Sequence, residues 1–102
     1  ANLTEDDLTA YLTPHNVHVN DWHFTFSGTI VKGIQLEGDL QAVVYVTPGE
    51  WMRLAPTVLN WPIFAVGSPV IGLSYYDREP NSEGGFNMDL HPDHLILESM
   101  KF

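Results

Sequence analysis

Two consecutive segments alternate between apolar and polar residues, and this period of two constrains the fold more than any other feature. The apolar positions of the first segment are Trp22, Phe24, Phe26 and Ile30. The second segment runs from Ile34 to Val46 with a similar alternation. Such alternation is typical of antiparallel strands with one buried and one solvated face, so we predict a β-hairpin whose aromatic face lies in the core.

The register of this hairpin follows from which residues share a face. A loop with an odd number of residues, at 32–34, places the apolar residues of both strands together, whereas a two-residue loop at Lys32-Gly33 does not. The same test argues against a tight turn at Gly38-Asp39. In the preferred register Gly28 faces Gly38, and this glycine pair could open a pocket beside the aromatic side chains.

Two segments carry the start signals of helices. Thr4 is a good N-cap, and the helix that it begins would extend to Leu12, before Pro14. The sequence Thr47-Pro48-Gly49-Glu50 has the pattern of a capping box with proline at the first helical position. It predicts a short central helix that ends near Ala55.

The second half of the chain predicts further strands. Val70 to Tyr76 resembles a strand buried on both faces, and 86–90 and 95–97 are predicted as short strands. Residues 77–85 form the one long polar stretch, which we expect to be a mobile loop. We therefore predict a single domain over 1–102. Its fold class is α+β, a mainly antiparallel sheet with an N-terminal helix and a short central helix. A small β-sandwich or barrel with helical plugs is the alternative.

Charge and composition exclude several functions. Thirteen Asp and Glu against four Lys and Arg give a formal net charge of -9, which disfavours direct binding to nucleic acid. The absence of cysteine excludes disulfides and cysteine-based zinc sites. The chain shows no targeting segment, and proline and glycine interrupt its longest uncharged stretch, so we expect no membrane span. The expected location is the cytoplasm, or the host cytosol for a viral source.

Catalytic motifs are absent from the sequence. No serine lies in G-x-S-x-G, and no phosphate-binding glycine motif occurs, so we expect no enzyme and no cofactor. The segment His91-Pro92-Asp93-His94 provides weak metal candidates in His91, Asp93 and His94, because two histidines three residues apart often occur by chance. Trp51 and Trp61 are expected in the core, as is most common for tryptophan in small domains.

These features favour a small acidic, non-enzymatic protein-binding module, such as an inhibitor, an immunity-type protein or an accessory protein with a basic protein partner. The expected partner-binding residues lie on the outer face of the hairpin and in the polar loop: Glu37, Asp39, Gln41, Val43, Tyr45, Glu79 and Glu83. One alternative is a small-ligand or metal-binding domain that uses the histidines. Another is a structural subunit that forms homo-oligomers through an edge strand at 95–97.

Overall fold

A computed structural model describes residues 5, 12–63, 69–76 and 88–100. The described chain consists of short strands and one 3-10 turn, which are, in order, β1 (His15–Val17), β2 (Asp21–Ser27), β3 (Ile30–Gln35), β4 (Gln41–Val46), β5 (Trp51–Leu54), β6 (Asn60–Pro62), β7 (Ile71–Tyr76), β8 (Met88–Leu90) and the 3-10 turn Glu98–Met100. No helix among these residues is long and apolar enough to cross a membrane.

The strands form two antiparallel sheets. The larger sheet has the order β4-β3-β6-β1-β8, and the smaller one has the order β5-β2-β7. The sheets are joined across the interior by the hydroxyl of Thr25 on β2, which donates a hydrogen bond to the carbonyl of Val46 on β4 at 2.8 Å. Antiparallel pairing was predicted from the alternation, and the structure confirms it.

The α+β prediction is wrong, because residues 13–63, 69–76 and 88–100 contain no α-helix. The β-sandwich alternative shares the two sheets, but its helical plugs are equally absent from these residues. Of the predicted N-terminal helix, only Glu5 and Leu12 are described, and the remainder lies outside the described residues.

The segment predicted to form the central helix instead forms a tight turn followed by strand β5. The amide of Glu50 donates to the carbonyl of Thr47 at 3.0 Å, and Gly49 takes a positive φ of 87°. Proline at the second position and a glycine with positive φ at the third are the requirements of a type II turn. This turn carries the chain from β4 in the larger sheet to β5 in the smaller one.

The predicted hairpin is also corrected. Lys32 and Gly33, expected in the loop, lie in the middle of β3, and β2 belongs to the other sheet. The chain crosses between the sheets at Gly28, whose backbone packs against Pro69. The hairpin of the larger sheet joins β3 to β4 through a turn that contains Gly38. Gly28 and Gly38 are therefore not paired, so the glycine pair that could have opened a pocket is absent from the described residues.

The interior between the sheets is polar. The inward-facing residues of β2 are Asp21, His23 and Thr25, and all three are buried. Lys32 on β3 is 1% exposed. The aromatic residues that alternate with them on β2 point away from this interior, so the prediction that the aromatic face lies in the core is wrong. Apolar burial is provided mainly by Val17, Val19, Val46, Leu54 and Trp61.

The C-terminal segment 94–100 packs on the opposite face of the larger sheet. Gln41 donates to the carbonyl of Leu95 at 2.8 Å and accepts from the amide of Leu97 at 3.1 Å. The indole of Trp61, which is 2% exposed, donates to the carbonyl of Met100. Residues 95–97 are irregular, so the strand predicted there is wrong. Residues 77–85, the predicted mobile loop, lie outside the described residues.

Candidate functional site

The smaller sheet presents a continuous apolar face to the outside. Trp22 lies opposite Tyr75 of β7, and Phe24 lies between Trp51 of β5 and Leu73 of β7. Because neighbours across antiparallel strands point to the same side, these residues form one surface. We call it the aromatic face, and it consists of Trp22, Phe24, Phe26, Trp51, Leu73 and Tyr75.

The aromatic face is exposed over most of its members. Phe26 is 59% exposed, Trp51 55% and Tyr75 56%, whereas Trp22 and Phe24 are half-buried. Contiguous exposed apolar patches are uncommon on soluble monomers and mark interaction sites. The sequence places Trp51 in the core, but the structure leaves it on this surface.

The rings of the aromatic face are tilted against one another. Trp22 and Trp51 meet edge to face, with their centroids 6.5 Å apart and an interplanar angle of 83°. Phe24 packs against Trp51 at 4.8 Å with an angle of 45°. The face is therefore uneven rather than a flat stacking platform, which suits knob-like side chains of a protein better than stacked planar rings.

Arg53 borders this face on β5. Its guanidinium lies 5.9 Å from the centre of the Trp22 ring, and Nη1 donates to Oδ1 of Asn20 at 2.7 Å. The cation–π contact and the hydrogen bond hold the side chain over the indole. Arg53 thus covers part of Trp22 and leaves Trp51 and Tyr75 open.

A second group of polar side chains lies on the inner side of the smaller sheet. His23 on β2 stands directly opposite Ser74 on β7, and Ser74 Oγ lies 3.2 Å from His23 Nδ1. On the other side of the ring, His23 Nε2 lies 3.0 Å from Oδ1 of Asp21. The imidazole of His23 therefore lies between the hydroxyl of Ser74 and the carboxylate of Asp21. Asp21 and His23 are buried, and Ser74 is exposed.

This group borders a cavity of about 270 Å³ between β7 and β3. Its walls include His23, Ser74 and Lys32. Burial lowers the pKa of Lys32 below its ordinary value of 10.5, and the nearby Asp21 carboxylate opposes that shift. The amine of Lys32 donates to Oδ1 of Asn60 at 3.2 Å.

The residues predicted to bind a partner lie in different surroundings in the structure. Glu37 and Asp39 are exposed in the β3–β4 turn, and Tyr45 is 65% exposed on β4. Val43 is half-buried, and Gln41 bonds to the chain's own C-terminal segment. The remaining two, Glu79 and Glu83, lie outside the described residues.

The histidine candidates for a metal site are bonded to amide side chains. Nε2 of His91 lies 2.7 Å from Oδ1 of Asn16, and Nε2 of His94 lies 2.9 Å from Oε1 of Gln35. Asp93 is exposed. Within the part of the chain that the structure describes, no three His, Asp or Glu side chains converge on a point where a metal ion could bind.

Neither group of residues could be recognised in the sequence, for different reasons. The alternation of aromatic residues in β2 was visible, but it does not say which face of the strand is buried. The pairing of His23 with Ser74 had no signal in the sequence, because these residues are far apart in the chain and lie in no known motif.

Comparison with protein-family models, curated proteins and solved structures gives no match for this chain.

Proposed function

We propose that this protein is a binding module that docks a basic protein partner through the aromatic face. The observation that carries the proposal is the exposure of Phe26, Trp51 and Tyr75 on one face of the smaller sheet. Tryptophan and tyrosine supply most of the binding energy in many protein interfaces, and burying them removes a large apolar area from water.

The net charge supports a basic partner. A formal charge of -9 on 102 residues attracts a positively charged protein over a distance and repels a second copy of this chain. The aromatic face would then supply short-range affinity, and the overall charge would supply the rate of encounter. This division predicts that salt slows association more than it speeds dissociation.

The test compares two tyrosines with similar exposure on different sheets. Tyr75 lies on the aromatic face, and Tyr45 lies on β4 of the larger sheet, among the residues predicted from the sequence to bind a partner. Wild-type, Tyr75→Ser and Tyr45→Ser proteins are immobilised and used to capture partners from native lysate at low and high salt. The captured proteins are identified by mass spectrometry, and the affinity of a purified partner is then measured.

We expect a basic partner that binds the wild type and Tyr45→Ser equally, binds Tyr75→Ser at least about tenfold more weakly, and associates more slowly at high salt. Equal binding of the wild type and Tyr75→Ser would contradict the use of the aromatic face. Loss of binding in Tyr45→Ser alone would assign the site to the β4 surface. Concentration-dependent sedimentation that Tyr75→Ser abolishes would identify a second copy as the occupant, and would also contradict the proposal.

A further inference from the structure

The side chains of Ser74, His23 and Asp21 have the order and spacing of a Ser-His-Asp catalytic triad. Ser74 Oγ is 3.2 Å from Nδ1 of His23, and Nε2 of the same ring is 3.0 Å from Oδ1 of Asp21. Strand geometry creates this arrangement. Asp21 and His23 are two residues apart on β2 and so face the same side, and Ser74 is the cross-strand neighbour of His23.

The two ring nitrogens of His23 have different surroundings. A carboxylate beside Nε2 favours the tautomer with its proton on that nitrogen, which leaves the lone pair of Nδ1 directed to the hydroxyl of Ser74. The contact with Asp21 is close but not aligned as a hydrogen bond, and neither atom has another aligned partner among the described residues. Catalytic hydrogen bonds in unliganded sites are often misaligned in this way and tighten around the substrate.

The three residues of this triad differ in solvent exposure. Ser74 is exposed and borders the cavity of about 270 Å³, whereas His23 and Asp21 are 7% and 5% exposed. An accessible hydroxyl with a buried base and a buried carboxylate is the distribution that a covalent hydrolase requires, because only the nucleophile must reach the substrate. The cavity is slightly smaller than usual ligand pockets, so it suits a small substrate.

We propose that Ser74 is the nucleophile of a hydrolytic activity toward small carboxylic esters, with His23 as general base and Asp21 as a positioning residue. This activity is separate from binding at the aromatic face. Cavity lining by Ile30 and Val70 favours a short apolar acyl group. Lys32 borders the same cavity and carries an amine that would favour negative charge on the carbonyl oxygen of the substrate.

The reaction balances with water as the only co-reactant. Ser74 Oγ bonds to the ester carbonyl carbon, its proton passes to Nδ1 of His23, and the carbon–oxygen bond to the alcohol breaks as that proton reaches the leaving oxygen. Water then attacks the acyl carbon and gives a proton to Nδ1. The bond to Ser74 breaks, Oγ recovers that proton, and the carboxylic acid leaves.

The first test uses a fluorophosphonate probe and p-nitrophenyl acetate on the intact chain. Ser74→Ala is compared with Ser27→Ala, which removes an exposed serine at the end of β2. We expect the probe to label Ser74, and hydrolysis to fall by about tenfold or more in Ser74→Ala but not in Ser27→Ala. Asp21→Asn should lower kcat and leave KM unchanged. Absence of labelling at Ser74, together with equal hydrolysis by both serine variants, would overturn the proposal.

The second test needs no substrate, because the chain contains no cysteine. Ser74→Cys and Ser27→Cys each introduce a single thiol, and the rate of alkylation by iodoacetamide is measured near neutral pH. An adjacent imidazole promotes the reactive thiolate, so we expect Ser74→Cys to react about tenfold faster than Ser27→Cys. Equal or slower alkylation of Ser74→Cys would show that His23 does not activate this position. Folding of each variant is confirmed by its circular dichroism spectrum.

Discussion

The indole of Trp61 lies against the backbone of Gly33 on the neighbouring strand, where a Cβ atom would overlap the ring. Gly33→Ala therefore forces the buried Trp61 or strand β3 to move. We expect a loss of about 1–3 kcal/mol in the free energy of unfolding, measured by urea denaturation.

Gly38→Asn is the matched control for that substitution. Gly38 has a positive φ but no atom within 4 Å of its missing Cβ, and asparagine tolerates this backbone conformation. Its effect should stay within about 0.5 kcal/mol. Equal stability of both variants would mean that Trp61 does not pack on Gly33 as described.

Glu50 and Thr47 make the β4–β5 turn sensitive to acid. The hydroxyl and the amide of Thr47 donate to Oε1 of Glu50 at 2.6 and 2.8 Å, and these hydrogen bonds lower the pKa of Glu50 below 4.5. A carboxyl group with a lowered folded pKa stabilises the fold above its unfolded pKa, and this contribution is lost as pH falls through the folded value.

Glu50→Gln tests this contribution because glutamine keeps the acceptor oxygen but not the charge. The Tm of the wild type should exceed that of Glu50→Gln at neutral pH, and the difference should shrink as pH falls below about 4.5. Glu37→Gln, in the exposed β3–β4 turn, serves as the control. A Tm difference that is constant through the acid range would contradict a role for the Glu50 charge.

Burial lowers the pKa of His15 below 6.5, while a contact with the carbonyl of Thr13 at 2.7 Å opposes the shift. The unfolded chain therefore binds a proton at this residue more readily than the folded one, and stability falls as pH falls below the unfolded value. Urea denaturation from about pH 7.5 to about pH 5.5 should show a smaller loss for His15→Gln than for the wild type. A His15→Gln curve parallel to the wild-type curve would refute this account.

Gln41 ties the C-terminal segment to β4 through Leu95 and Leu97. In Gln41→Ala we expect faster amide hydrogen exchange at Leu97, with little change at Val44 in the middle of the strand, because the lost bonds are local. Uniformly faster exchange across β4 would instead indicate that Gln41 supports the whole sheet.

The alternation of apolar and polar residues predicts the two faces of the hairpin but not its register. The alternation correctly separates the two sides of β3 and β4. The predicted loop at 32–34 would pair Ile30 with Leu36, whereas the structure pairs Ile30 with Val46. The two registers differ by an even number of residues, so every side chain keeps its face in both. Parity cannot choose between them.

The helix predicted from the segment Thr47–Glu50 is wrong for a related reason. The side chain of Glu50 returns to the amide of Thr47, as the capping box predicts. That hydrogen bond is compatible with a helix start and with a turn, and Gly49 with its positive φ directs the chain into β5. One hydrogen bond of the predicted capping box therefore forms, but the amide of Glu50 donates to the carbonyl of Thr47 and no helix follows.

The candidate sites depended on tertiary structure to different degrees. Trp22, Phe24 and Phe26 could be placed on one face from the sequence, but the prediction put that face inside. Of the residues predicted on the opposite side of the hairpin, Gln41 is bonded to the C-terminal segment, a contact between distant parts of the chain that no local pattern contains.

The sequence by itself determined that strands would form, that they would pair antiparallel and which residues would share a face, because strand periodicity is a local property. Only the tertiary structure decided which face is buried, since a strand with aromatic residues on one side and His23 and Thr25 on the other can pack with either side inward. It also placed Ser74 beside His23, because that contact depends on the pairing of β2 with β7. Local periodicity carries no information about such a pairing.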